Sequence, residues 1–259
     1  MKPHILLVEP MMAPIEARLD ETYTVHRLYD STQTSSIEAN LASIRAVATG
    51  GGSGLSSEWI EKLPALGVIA INGVGTDKVD LKLARSRNID VTTTPGVLTD
   101  DVADIGIALM LAVLRHVGKG DAFVRDGQWA AGAPFPLGNS PKGKRIGILG
   151  LGQIGRALAH RAEAFGMSVR YWNRSPVTDT NWTSCANPID LAADSDVLAV
   201  CIAANAGTQG FVNAEVLAAL GSKGILVNVA RGSVADEDAL LAALANGTIA
   251  GAGLDVFLN

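Results

Sequence analysis

Only two cysteines occur in the 259 residues, Cys185 and Cys201. They are too few for a disulfide framework or a Cys-rich zinc site, and they suit a reducing compartment. Charge is scarce too. Asp, Glu, Lys and Arg make up 18%, where a soluble domain averages about a quarter. With 48% hydrophobic residues the chain can bury a sizeable core and keep apolar surface for a partner subunit. There is no excess of positive charge: 21 Lys and Arg against 26 Asp and Glu leave −5. That excludes the usual electrostatics of a nucleic-acid or anionic-membrane binder. Long apolar runs are also missing. The longest, Ile105 to Leu114, is too short for a bilayer and is bracketed by Asp104 and Arg115. Met1-Lys2-Pro3 leads into a short apolar run and not a secretory leader, so a cytoplasmic protein is expected.

What is present is an alternation of short apolar runs with helical periods. Strands are expected at Ile5–Val8, Ala46–Thr49, Val68–Ile71 and Ile89–Thr92, and helices at Ser57–Leu63 and Lys78–Arg87. After Pro95-Gly96 a long helix is expected from about Asp101 to Lys119, capped by Thr99 or Asp100. Its interior is apolar on nearly every face, which predicts burial all round. From Phe123 to Lys144 the period is lost and an extended arm is expected. Strands then resume at Arg145–Leu149, Ser168–Trp172, Val197–Ile202, Ile225–Val229 and Ala252–Val256. Helices fit Gln153–Phe165, Asn213–Leu220 and Asp236–Ala245. Continuous apolar strands alternating with helices imply parallel sheets covered on both faces. The expected fold class is α/β, with two doubly wound, Rossmann-like parallel-sheet domains, about 1–95 and 96–259, and the active-site cleft between them.

Gly150-Leu151-Gly152-Gln153-Ile154-Gly155 fits G-x-G-x-x-G, after an expected strand and at the start of an expected helix. That context is what dinucleotide binding requires. Gly150 would permit the tight turn, Gly152 a close approach of backbone to pyrophosphate, and Gly155 close packing of helix on strand. The helix N-terminus would supply N–H groups and a positive dipole to the phosphates. The competing reading is an ordinary βα turn. The next strand ends in Asn173-Arg174-Ser175, where NAD enzymes place an Asp or Glu for the ribose hydroxyls. An uncharged Asn173 followed by Arg174 suits a 2′-phosphate, so NADP(H) is expected over NAD(H). A solvated surface arginine is the alternative.

Together with the glycine loop, four further segments resemble the D-2-hydroxyacid dehydrogenases. They are Gly73-Val74-Gly75-Thr76-Asp77, the run from Thr94 to Asp104, Val229-Ala230-Arg231-Gly232, and Gly253-Leu254-Asp255-Val256. Within that family the NADP-dependent glyoxylate/hydroxypyruvate reductases are the nearest likeness. The resemblance implies a substrate domain split around an inserted cofactor domain. It also implies a homodimer formed through the long helix and arm, about 101–140. It makes Arg231 the catalytic arginine, gripping a 2-oxoacid carboxylate and polarising its ketone. The backbone of Val74 and Gly75 would bind the carboxylate. Thr99, Gln153, Ile154, Cys201, Ile202, Ala203, Val229, Ala230 and Asp255 match positions along the cofactor. Read without the resemblance, Cys201 is a small buried hydrophobe and Thr99 a helix cap.

The family's Glu–His acid/base pair falls beyond Asn259 by the same pattern, and so does the segment returning to the first domain. A longer natural protein is the expectation. None of His4, His26, His116 or His160 matches the proton donor. The alternative is a dinucleotide-responsive regulator, or a catalytically weak binding protein, on the same scaffold.

Overall fold

The computed structural model describes residues 2–258. The chain divides into two compact units, Met1–Val97 and Leu98–Asn259.

The first unit runs β1 (His4–Leu7), α1 (Ala13–Thr22), β2 (Thr24–Arg27), α2 (Thr34–Asn40), β3 (Ile44–Gly50), α3 (Ser57–Lys62), β4 (Val68–Asn72), α4 (Leu81–Ser86) and β5 (Asp90–Thr92). All its strands are parallel, in the order β2-β1-β3-β4-β5. Leu6, Val47, Ile69 and Ile71 are buried within the sheet's core, and Ile37, Ile60 and Leu63 pack on it. Helix starts follow local chemistry: Ser56 caps α3 through Trp59 N–H, and Asp80 caps α4 through Lys82 and Leu83 N–H. That second cap starts α4 later than the expected Lys78, because Asp80 already takes the orphan donors. The strand order reverses between β1 and β3, so the carboxyl ends of these two strands flank the position where open α/β sheets bind ligands.

The second unit runs α5 (Thr99–Leu114), α6 (Val117–Arg125), β6 (Arg145–Leu149), α7 (Gln153–Ala164), β7 (Ser168–Trp172), β8 (Thr183–Ser184), α8 (Pro188–Ala193), β9 (Val197–Val200), α9 (Ala214–Leu220), β10 (Ile225–Asn228), α10 (Glu237–Ala245) and β11 (Gly251–Leu254). Its sheet is parallel throughout, ordered β11-β10-β9-β6-β7-β8. Two three-stranded halves therefore run outward from β6 and β9, which is the Rossmann order. The switch point lies between β6 and β9.

The long helix departs from expectation in three ways. It ends at Leu114 instead of Lys119, because His116 takes a left-handed conformation (φ 56°) and α6 starts afresh. Its burial is confined to Ala103, Gly106, Ile107, Met110 and Leu114, one stripe at helical spacing, while Ile105 on another face is exposed. Thr99 is its first residue and no side chain caps it. The expected arm is also shorter at its start, since α6 continues to Arg125. Beyond it, Trp129 and Leu137 are 70% and 94% exposed.

Candidate functional site

The glycine loop leaves β6 at the switch point and enters α7 at Gln153. Its three glycines differ in what a side chain would meet. Gly150 has φ 101°, and a Cβ there would press on Ile202 N at 2.8 Å and Cys201 C at 3.0 Å. At Gly155 a Cβ would run into the Gly150 carbonyl oxygen and lie 3.0 Å from Ile148 Cγ2. Those two glycines serve the fold. Gly152 is different: its φ is −81°, and nothing of the protein lies within 4 Å of a Cβ. Open space stands where a dinucleotide's pyrophosphate approaches the backbone in this loop type. No side chain caps α7, so its first-turn N–H groups face that space without a local acceptor. The residues present thus fit a dinucleotide.

At the end of β7, Asn173 ties the loop down. Its Oδ1 accepts from Leu151 N–H at 3.3 Å, and its Nδ2 donates to the Ser175 carbonyl at 2.9 Å. Arg174 beside it is exposed and makes no hydrogen bond or ion pair among the described residues. Thr99 and Gln153 meet across the start of α5 and α7, with Thr99 Oγ1 3.4 Å from Gln153 Oε1. Ile154 follows within the first turn of α7.

Past β9, Cys201 N–H donates to the Leu149 carbonyl at 2.8 Å, which places Cys201-Ile202-Ala203 against the glycine loop. Burial pushes the Cys201 thiol up to about 12, so it stays protonated and unreactive near neutrality. Past β10 comes a turn that carries Arg231. Asn228, 1% exposed, holds it at both ends. Its Oδ1 accepts from Ala230 N–H at 3.0 Å and its Nδ2 donates to the Arg231 carbonyl at 3.0 Å. Arg231 itself is half-buried, and its Nη1 donates to the Ala230 carbonyl at 2.9 Å. Val229 is buried below the turn. Asp255, exposed at the end of β11, bonds through its N–H to the Asn228 carbonyl at 3.0 Å. The carboxyl ends of β6, β7, β9, β10 and β11, with the start of α5, thus carry the second unit's expected site residues. Asn228 escaped sequence reading; its one signal was a lone amide ending an apolar strand.

In the first unit the turn after β4 is held by its ends. Gly73 N–H donates to the Ile71 carbonyl at 3.0 Å, and the Gly73 carbonyl accepts from Thr94 N–H at 2.9 Å. The N–H groups of Val74 and Gly75 donate to no acceptor among the described residues. Two adjacent open donors suit an anion.

The histidines stand elsewhere. His4 Nδ1 and His26 Nε2 are 3.0 Å apart on neighbouring strands of the first sheet, and burial, with His4 nearby, lowers the His26 pKa. His116 sits at the α5–α6 break, and His160 packs on Trp182 with ring centroids 4.8 Å apart.

A Rossmann sheet with this loop at its switch point defines a dinucleotide-binding unit of an oxidoreductase type. Residues 107–259 match the family described as D-isomer specific 2-hydroxyacid dehydrogenase, NAD binding domain. The chain belongs to the D-isomer-specific 2-hydroxyacid dehydrogenase family. It is 45% identical over 258 residues to a 2-ketogluconate reductase of Gluconobacter oxydans, covering 100% of this chain and 82% of that one. A dehydrogenase of Rhizobium meliloti is 64% identical, with TM-score 0.76 over 98% of this chain and 81% of that one. An NADPH-dependent glyoxylate/hydroxypyruvate reductase of Sinorhizobium meliloti, solved with NADP and malonate, is 40% identical. Its TM-score is 0.92, over 100% of this chain and 81% of that one. Among the described residues no helix is long and apolar enough to cross a membrane.

Proposed function

We propose that the protein is an NADPH-dependent reductase of small 2-oxoacids, of glyoxylate or hydroxypyruvate type, giving the D-2-hydroxyacid. The observation that carries this is an arginine on a braced turn at the end of β10, in a chain whose relatives reduce such acids. The nicotinamide, when bound, supplies hydride to the carbonyl carbon. Gly152 and the first turn of α7, with Gln153 and Ile154, hold the pyrophosphate, and Gly150 and Gly155 shape the loop that carries them. Thr99, Cys201, Ile202, Ala203, Val229, Ala230 and Asp255 line the rest of the dinucleotide. Arg231 donates to the oxygen on which charge develops and to the acid's carboxylate. The open N–H groups of Val74 and Gly75 suit a 2-oxoacid's carboxylate. None of the four histidines is assigned as the proton donor.

Arg174 recognises the 2′-phosphate, with Asn173 and Ser175 shaping the turn beside it. Loss of reduced-nicotinamide absorbance with glyoxylate, hydroxypyruvate or 2-ketogluconate tests the activity directly, and no turnover with any of them refutes it. Arg174→Glu is expected to lower kcat/KM for NADPH about 10–100-fold, the factor of one charge-assisted hydrogen bond, and to leave NADH within a few-fold. An unchanged NADPH preference would remove Arg174 from the site.

The protein forms a homodimer through α5, α6 and the arm, where Val117, Val124, Trp129 and Leu137 are exposed. Light scattering is expected to report two copies; a monomer at micromolar concentration counts against it. Its cysteine content fits a reducing, cytoplasmic compartment.

A further inference from the structure

A second glycine-rich turn, Gly50-Gly51-Gly52-Ser53-Gly54, follows β3 at the switch point of the first sheet. Across that point, just past β1, stands Glu9. The Ser53 hydroxyl donates to Glu9 Oε2. The carboxylate lies so close to the turn that a Cβ at Gly50 would run into it. The turn also abuts the anion-binding segment of the same unit. A Cβ at Gly73 would lie 3.4 Å from Gly51 N and 3.5 Å from Gly51 Cα. Both ends of the turn are anchored. Buried Thr49 donates through Oγ1 to the Gly54 carbonyl at 2.6 Å, and Leu55 N–H donates to the Lys78 carbonyl at 3.1 Å. At Gly52 a side chain would meet nothing within 4 Å, so the turn opens outward there.

Glu9 is half-buried, and among the described residues no lysine or arginine pairs with it. A carboxylate offers about four acceptor sites, and Ser53 occupies one of them. The remainder ask for hydroxyl or N–H donors. A second carboxylate there would be repelled, and an apolar group would desolvate Glu9 without compensation.

We propose that Glu9 is a specificity-determining residue that accepts a hydrogen bond from the substrate's C3 hydroxyl, which makes hydroxylated 2-oxoacids the preferred substrate class. The inference rests on the reductase reading, in which Val74 and Gly75 hold the substrate's carboxylate. With that end fixed on N–H donors, the acceptor oxygens of Glu9 serve the opposite, hydroxyl-bearing end. Ser53 orients the carboxylate, and Gly50 is small because the carboxylate occupies the space of its side chain.

Hydroxypyruvate and pyruvate differ by that hydroxyl alone, and glyoxylate has no C3 group. The purified protein is expected to favour hydroxypyruvate over pyruvate in kcat/KM by about 10–100-fold, since a site built around a substrate hydroxyl rejects the analogue lacking it. Glu9→Leu is expected to bring that ratio to within a few-fold of one, with hydroxypyruvate losing far more kcat/KM than glyoxylate. Glu9→Gln keeps an acceptor and the shape, and most of the preference. Equal losses on all three substrates in both variants would reduce Glu9 to a support for the turn and overturn the proposal. A ratio unchanged by Glu9→Leu would overturn it too, with the reductase reading intact. If wild type turned over none of the 2-oxoacids, the reductase reading itself would fall and this inference with it.

Discussion

Replacing Arg231 by alanine is expected to cut kcat/KM for a 2-oxoacid by about 10²–10³-fold, the usual consequence of removing one donor from a developing oxyanion. The loss should fall mainly on kcat, because charge on the ketone oxygen grows only on the way to the transition state. Folding should be spared. Asn228 holds the turn through Ala230 N–H and the Arg231 carbonyl, backbone atoms that the variant keeps. Arg231→Lys retains the charge but lacks the planar fork, and should recover only part of the rate. Steady-state kinetics, with NADPH titration and thermal melting as controls, decide the matter. A variant with wild-type kcat would exclude Arg231 from the chemistry. One that melts early would make it a structural residue.

The second large effect separates two glycines three residues apart. Gly155→Ala places a methyl group against the Gly150 carbonyl, a backbone atom that cannot swing aside. A cost of about 1–3 kcal/mol is expected from such overpacking, or roughly 2–12 °C in Tm for a unit of this size. Cofactor binding should fall with it, since the loop and α7 must part. Gly152→Ala meets open space at an ordinary φ of −81°, so the melting temperature should stay within about 1–2 °C. Its methyl group instead occupies the place kept for the pyrophosphate, and Kd for NADPH should rise about tenfold or more. Isothermal titration and melting curves on the two variants test the pair. Equal Tm losses, or tight NADPH binding by Gly152→Ala, would contradict the division of labour.

The central strands were legible because they are buried apolar runs bounded by polar or turn residues, as in Val197–Val200 and Ile225–Asn228. The glycine loop and Arg231 were legible because their spacing relative to those strands is itself the signal. α1 was not, since none of its residues is buried and an exposed helix leaves no apolar period. α8 and β8 are too short, at six and two residues, to show a period at all. The break at His116 is a local left-handed conformation, which apolar periodicity does not mark. Asn228 and Glu9 lay outside the motifs; only the turns around them in space show what they hold.

Asn173 has a consequence for how this cofactor site can change. Its amide both accepts from the glycine loop and donates to the Ser175 carbonyl, a double duty that an ionised carboxylate cannot perform. Exchanging it for aspartate, the shortest mutational step toward a ribose-binding acid, would keep the first bond and set the new charge against the Ser175 oxygen. On the proposed NADPH reading, the β7 turn therefore acts as a ratchet on cofactor choice: a switch to NADH would require the 173–175 turn to be rebuilt in the same step.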